Sequence, residues 1–375
     1  EVGSDPGEPC LDPGELYAAF ADRGTRLPRA LNATATHDTK RGEDTRARIA
    51  VLSELPDAWR GNLRRWIREG DAWKADVGED DESAVPVADV DSLLYQTLVG
   101  AWPLHGADEA FGERVKAYML KAVREAKEQT SWRRPDEDFE QALHAFIDHI
   151  MAAFGREGLS ESVADLAARI APHGALNSLT QMLLKVTAPG IPDFYQGTEL
   201  WSFTLVDPDN RQPVDYGIRR RMMDDVAHLR DHPDAASLGA MLDDWQDGRI
   251  KLLLTALALR FRARHRNAFE SNAVTPLEVE GEHAAHVIAV ARGSGDQACV
   301  VVLPRWTAML AEGRIRPVGP GVWGDTMLVL PGPAKRPWQN ALTRESHAAH
   351  GPTPVAALLG SLPFALLEPA QPAGA

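Results

Sequence analysis

Ala33-Thr34-Ala35-Thr36-His37-Asp38-Thr39-Lys40-Arg41-Gly42-Glu43-Asp44 is the stretch whose reading decides the fold. Small and β-prone residues lead into a His-Asp pair, and a basic-then-acidic helix start follows at once. Residues 29–36 are expected to form a buried strand. Gly42 is placed to cap the next helix, with Glu43 and Asp44 in its first turn, where carboxylates favour the helix dipole. A strand that ends by presenting a carboxylate beside an imidazole is how parallel α/β barrels mount catalytic groups. Taken alone, His-Asp-Thr is acceptable turn chemistry, with Asp38 bonding backbone amides. The charge behind it, Lys40, Arg41, Glu43, Asp44, Arg46 and Arg48, is denser than a solvated face needs. It points to a polar cleft wall with its own ion pairs.

Working outward, a short helix is expected near residues 12–23, with Pro13 just inside its start. Helices beyond Gly42 carry Ile49, Leu52 and Leu55, then Leu63, Trp66 and Ile67. Residues 76–89 read as an acidic, Gly- and Pro-containing linker. From Val90 to about Val186 the chain is almost entirely helical. Phe111, Val115, Tyr118, Met119 and Ala122 recur at helical spacing, as do Phe139, Leu143, Phe146, Ile147 and Ile150. Pro189-Gly190 then turns the chain. Ile191 and Phe194-Tyr195 suggest a short strand that Gln196-Gly197-Thr198-Glu199 leaves. Helices are expected at 217–231, 236–245 and 249–266. After residue 272 the period becomes strand-like, at 275–280, 285–291, 298–304, 326–330 and 363–367. Turns such as Gly293-Ser294-Gly295 and Pro331-Gly332-Pro333 bound these runs. The end of the chain therefore reads as an all-β domain.

The balance of 40 basic against 54 acidic residues gives a net charge of -14. That disfavours nucleic acid and anionic membranes as partners and suits a neutral substrate. The 2 cysteines, Cys10 and Cys299, provide no disulfide framework or thiolate metal site, which suggests a reducing cytoplasm. No apolar run reaches transmembrane length. The opening Glu1-Val2-Gly3 reads as the interior of a longer protein. No P-loop, dinucleotide fingerprint, nucleophile elbow or zinc-protease motif occurs, so no cofactor is expected. Asp207, Asp209 and Asn210 resemble the start of a calcium loop. Gln212 stands where the loop needs glycine and Ile218 where it needs glutamate, so no metal is expected either. A salt-bridged loop through Arg211 and Asp215 is the alternative.

Two further features have a functional and a plain structural reading. Pro189–Trp201 is either a strand edge with aromatic packing or a pocket-lining loop offering Tyr195, Gln196 and Glu199 to hydroxyl groups. The chain has 10 tryptophans, and Trp59, Trp66, Trp73, Trp102 and Trp132 fall in the helical part. Sugar faces stack on such rings, but most tryptophans pack cores, so one or two at most are assigned to substrate.

Thr36–Asp44, with Arg46-Ala47-Arg48-Ile49 and Leu52-Ser53-Glu54-Leu55-Pro56, resembles maltooligosyl trehalose synthase, of the α-amylase superfamily. Arg124-Glu125-Ala126-Lys127 with Thr130-Ser131-Trp132, and the run Leu184–Trp201, are similar to the same family. So are Leu205–Arg211 with Pro213–Tyr216, and Leu303-Pro304-Arg305 with Trp323–Thr326. The resemblance covers nearly the whole chain. It implies an α/β fold: the C-terminal part of a (β/α)8 barrel with a large all-α insertion, followed by an all-β domain. The implied divisions are a barrel segment at 1–44, a helical insertion at 45–180, the last barrel strand and helices at 181–270, and the β-domain at 271–375.

The resemblance also implies roles. Asp38, at the end of the seventh strand, is expected to stabilise the transition state. His37, Lys40, Arg41, Tyr195, Gln196 and Glu199 are expected to bind substrate. No segment matches the superfamily's nucleophilic Asp or acid/base Glu, and six strands do not fit before residue 29. The chain is thus expected to be the C-terminal half, partnered by a missing N-terminal half, with a maltooligosaccharide as substrate. The expected reaction moves the reducing-end α-1,4 bond to an α,α-1,1 bond. Another α-glucan hydrolase of the superfamily, or a non-catalytic glucan-binding fragment, stays open as an alternative.

Overall fold

The computed structural model describes residues 12–76, 84–153, 159–271, 273–311, 314–331 and 336–370. Cys10, part of the 76–89 linker and Gly332-Pro333 lie outside the described residues. The chain forms two units. One comprises residues 1–36, 175–201 and 213–375; the other comprises 37–174 and 202–212.

Helix α1 (Pro13–Arg26) starts where expected: Asp12 caps it, Glu15 completes a capping box, and Pro13 occupies the first turn. Strand β1 covers Leu31–Ala33. Helix α2 (Glu43–Ala50) opens at Gly42, as its sequence predicts. It leads through a 3-10 turn to α3 (Pro56–Gly70). A small hairpin, β2 (Ala75–Asp76) with β3 (Ala84–Val85), precedes α4 (Ala88–Ala101), α5 (Glu109–Ala126) and α6 (Glu137–Ala153). The long α7 (Leu159–Thr187) carries Pro172 internally. These helices bear out the helical reading of Val90–Val186. The periodic residues form their core: Phe111, Val115, Met119, Leu143, Phe146 and Ile147 are all buried. Trp66 and Tyr95 pack with ring centroids 5.5 Å apart, and the Tyr95 hydroxyl donates to the Trp66 carbonyl at 3.0 Å. These two rings account for one of the expected tryptophans as plain packing.

Strand β4 (Ile191–Asp193) pairs parallel with β1, Leu31 opposite Ile191 and Ala33 opposite Asp193. The two strands form a sheet by themselves. The expected strand 29–36 is therefore shorter than its sequence suggests. It is also not buried, since Leu31 is 64% exposed and Ile191 45%. A parallel pair buries its faces only when other layers flank it, and here each strand has one hydrogen-bonded neighbour. Phe194-Tyr195 likewise falls after β4, not within it.

Five helices follow: α8 (Tyr216–Asp225), α9 (Ala227–Asp231), α10 (Ala235–Asp243), α11 (Arg249–Arg264) and α12 (Arg266–Glu270). The single helix expected at 217–231 is split at Val226.

The remaining strands are β5 (Val274–Pro276), β6 (Val279–Glu280), β7 (Val287–Arg292), β8 (Cys299–Pro304), β9 (Met327–Leu330), β10 (Trp338–Asn340), β11 (Ser346–His347), β12 (Gly351–Pro354) and β13 (Ala365–Pro369). They build a six-stranded sheet, β11-β10-β13-β8-β7-β5, and a three-stranded sheet, β12-β9-β6. All pairings in both sheets are antiparallel. Every residue of β7 and β8 is buried. One face, with Val287, Ala289, Val300 and Val302, packs in a core with Trp323, Trp338 and Leu328. The other carries Arg292, which donates to the carbonyls of Thr187, Phe269 and Ala273. Burial lowers the Arg292 pKa to about 10, so the guanidinium remains charged at neutral pH. Short strands β10, β11 and β12 went unread in the sequence because two to four residues carry no detectable alternation.

Candidate functional site

The His37-Asp38 pair lies on a turn, four residues beyond the end of β1. His37 Nε2 is 3.2 Å from Asp38 Oδ2, and both side chains are more than half exposed. The turn is nonetheless held firmly from behind. The Asn210 side chain donates to the carbonyls of His37 (3.0 Å) and Thr39 (3.3 Å). The Gly42 amide donates to the Thr204 carbonyl at 2.7 Å, and Arg41 forms an isolated antiparallel bridge with Leu205. Gly42 has to be glycine here, because a Cβ would stand 2.5 Å from the Ser202 carbonyl oxygen. A capping position and a close backbone approach thus fall on one residue.

The charges behind the turn are largely consumed by the fold of this unit. Lys40 Nζ lies 2.8 Å from Glu125, whose hydrogen bond raises the lysine pKa. The Arg41 guanidinium donates to Gln96 Oε1 (2.6 Å) and Thr97 Oγ1 (2.9 Å), and stands 5.8 Å from the Tyr118 ring. Asp44 is buried and accepts the Ser202 amide at 2.5 Å. Arg48 is 2% exposed, lies 4.0 Å from the Phe203 ring and donates to the Trp102 carbonyl at 2.7 Å. Burial depresses its pKa to about 10. Of the ion pairs expected here, Lys40–Glu125 is formed, while Arg41, Asp44 and Arg48 bond neutral groups of the same unit.

The 207–211 loop belongs to the same wall. Arg114 grips Asp209 with two bonds of 2.9 Å, and Lys121 bonds Asp207. Arg211 approaches Asp207 at 3.6 Å. The expected link from Arg211 to Asp215 is a misassignment, since Asp215 instead caps α8 by accepting the Ile218 amide. Among the described residues, no group of three or more His, Cys, Asp or Glu side chains is arranged to hold a metal ion.

Tyr195, Gln196 and Glu199 belong to the other unit. Tyr195 is half-buried and Gln196 exposed. Glu199 accepts from Arg219 Nε at 2.9 Å, and the same guanidinium donates to the Gly197 carbonyl at 2.8 Å. Gly197 takes a positive φ of 87°, which lets the loop turn at that point. Glu199 is therefore engaged in holding its own loop.

Sequence reading missed Lys185, one of the most informative residues of this unit. It is 5% exposed, donates to Thr34 Oγ1 at 2.8 Å, and has its ammonium 3.9 Å from the Phe194 ring centroid. Thr34 and Phe194 are the first residues after β1 and β4. One buried cation thus ties together the ends of both parallel strands. The signal was a lone lysine in the apolar run Met182-Leu183-Leu184-Lys185-Val186. The bonds from Asn210 to the His37 turn were also missed, although the residue and its loop had been singled out.

No protein-family model matches the chain. A curated relative from Mycobacterium tuberculosis, named "Putative maltooligosyl trehalose synthase", is 35% identical over 369 residues. That alignment takes in 98% of this chain and 41% of the relative. The solved maltooligosyltrehalose synthase of Arthrobacter ramosus is 34% identical, with a TM-score of 0.77 over 98% of this chain and 42% of its own. A further solved structure titled as maltooligosyl trehalose synthase is 27% identical, with a TM-score of 0.72 over 98% of this chain and 43% of its own. The chain spans about two fifths of the length of the curated relatives it matches. The resemblance read from the sequence thus stands: over almost its whole length, the chain is similar to part of maltooligosyl trehalose synthase.

Proposed function

We propose that the chain is the C-terminal part of a maltooligosyl trehalose synthase. The enzyme converts the reducing-end α-1,4 bond of a maltooligosaccharide to an α,α-1,1 bond. The observation that carries this reading is the similarity over 98% of the chain to proteins of that name. The parallel pair β1–β4 supports it, because it is exposed like two strands of a larger sheet. In this reading β1 and β4 are the seventh and eighth barrel strands. Residues 45–180 are the helical insertion between them, 181–270 hold the last strand and its helices, and 271–375 are the C-terminal β-domain. The missing strands, with the nucleophile and the general acid, lie in the other three fifths of the enzyme. The chain alone is then inactive, and its partner is that N-terminal part. A reducing cytoplasm belongs to the same proposal.

Retaining glycosyl transfer proceeds by double displacement through a glycosyl-enzyme intermediate. Asp38 bonds ring hydroxyls of the glucose being cleaved, and those bonds strengthen as oxocarbenium character develops. Such bonds supply several kcal/mol, about 10²–10³ in rate. Its exposure and its firmly held turn suit that role, since a carboxylate that grips substrate must be open in front and fixed behind. His37 stands beside it. Lys40 and Arg41 act chiefly by fixing the turn, and Tyr195, Gln196 and Glu199 furnish the second loop. The freed glucose must then re-attack through its anomeric hydroxyl before water does, which requires a closed pocket.

The test is Asp38→Asn in the complete enzyme with maltopentaose as substrate. Loss of reducing ends measures the isomerisation, and their increase would identify a hydrolase instead. The variant is expected to lose at least about 10²–10³ in kcat while still binding maltopentaose. A loss below tenfold removes Asp38 from the catalytic set.

A further inference from the structure

We propose that Trp132 and the loop 127–134 form a stacking platform for a glucosyl unit of an α-glucan, separate from the His37-Asp38 turn. The ligand class rests on the reading above; the platform rests on its own geometry. The loop joins α5 to α6 and lines an open cleft of about 680 Å³. Trp132 stands in it 58% exposed, whereas Trp59, Trp73 and Trp102 are half-buried and Trp66 is fully buried.

An indole left in water on a loose loop is unremarkable, but this loop is tightly built. Glu140, from α6, is 8% exposed and accepts from Arg124 Nε at 2.8 Å, Arg124 Nη2 at 2.5 Å and Thr130 Oγ1 at 2.7 Å. These bonds with Arg124 hold the Glu140 carboxyl below the usual carboxylate range. Buried Thr130 in turn accepts the Asp136 amide at 3.0 Å. Ser131 and Arg134 exchange bonds of 3.1 Å across the tip. The same Arg124 guanidinium lies 4.7 Å from the Trp132 ring centroid. A half-buried, doubly hydrogen-bonded ion pair therefore anchors an aromatic ring that stays exposed to solvent.

A glucose ring has an apolar C–H face and a rim of hydroxyls. It fits a fixed indole with donors and acceptors around it, here Ser131, Lys127, Glu128 and Arg133 lining the cleft. The basic side chains there also suit a polyanion, but the net charge of -14 opposes one. The platform's position fits a chain that passes the Asp38 turn. Glu125, adjacent to Arg124, makes the 2.8 Å contact with Lys40, two residues beyond Asp38. One end of α5 thus supports both the turn and the platform.

The experiment is affinity electrophoresis of the 375-residue chain in gels with and without soluble amylose. Retardation by amylose is expected for the natural chain. Trp132→Ala should weaken it at least tenfold, Trp132→Phe should keep most of it, and Trp306→Ala, at another exposed tryptophan, should leave it unchanged. An unretarded natural chain, equal retardation of Trp132→Ala, or Trp132-dependent retardation by single-stranded DNA but not amylose would each overturn the platform. Trp132 is exposed, and circular dichroism of the variants separates loss of the ring from loss of the fold. Trehalose formation is read in a different assay on the complete enzyme, so the platform and the proposed activity can fail independently.

Discussion

The strand pair β1–β4 and the strand pair β7–β8 sit in the same unit, and they are opposites. The β7–β8 pair is antiparallel, joined through the Gly293–Ala298 turn region, and buried at every position. It has neighbours on both edges and side chains on both faces. The β1–β4 pair is parallel, three residues long, and alone in its sheet. Its leucine and isoleucine face solvent. The first pair needs only its own chain to be stable. The second is held at its ends, by Lys185 between Thr34 and Phe194 and by Asn32 donating to the Pro189 carbonyl at 2.9 Å. The two pairs of one unit are thus held in different ways, one by enclosure and one by contacts at its ends.

The sharpest way to probe this contrast is to damage the self-sufficient side. Trp323→Ala removes a fully buried ring whose indole donates to the Pro317 carbonyl at 3.0 Å. It should lower unfolding free energy by about 3–5 kcal/mol in urea titration. A cost below about 1 kcal/mol would mean that the core between these antiparallel strands does not stabilise this unit.

A smaller effect is expected where β13 meets α11. Glu368 accepts from His265 Nε2 at 2.5 Å and from Arg264 Nη2 at 3.1 Å. Burial pushes its pKa up, but these two partners outweigh burial and leave it below the ordinary value. A carboxyl depressed in the folded state binds fewer protons there than in the unfolded chain. Its stabilisation is therefore present above the unfolded value of about 4.3 and is lost as pH falls through the folded value. Glu368→Gln should cost about 2 kcal/mol at pH 7, and the difference from the natural chain should shrink in acid. A pH-independent difference would show that the carboxylate charge is not what acts.

The smallest effect is expected in the exposed pair. Leu31→Ala should change the stability of this chain by no more than about 0.5 kcal/mol. A loss of about 2 kcal/mol or more would break the contrast, because it would show that β1 is already packed.

How legible the molecule was in its sequence follows the same division. The helices of 88–187 were readable because Phe111, Val115 and Met119 repeat over several turns, so a small error of phase does not matter. The start of α1 at Pro13 and the capping of α2 by Gly42 were readable because helix starts are local chemistry. Strands β7 and β8 were visible as apolar runs. The extent of β1 was not, because Ala33 to Thr36 have suitable propensity but only one partner strand, and pairing lies outside local sequence. At the candidate site, the His37-Asp38 pair was legible as residue types. That Lys40 and Arg41 turn toward Glu125, Gln96 and Thr97 was not, because those contacts join residues far apart in the chain.

The Asn210 side chain reaches back 173 positions to the His37 carbonyl, and Asn32 reaches forward 157 to that of Pro189. Closing such a loop costs entropy that grows only slowly with length, yet all of it precedes any return from the contact. Contacts between distant positions also slow folding relative to local ones. Both contacts are therefore expected to form after helices and hairpins that need no distant partner. A nascent chain is expected to form its helices before the turn that carries His37 and Asp38 is fastened by Asn210.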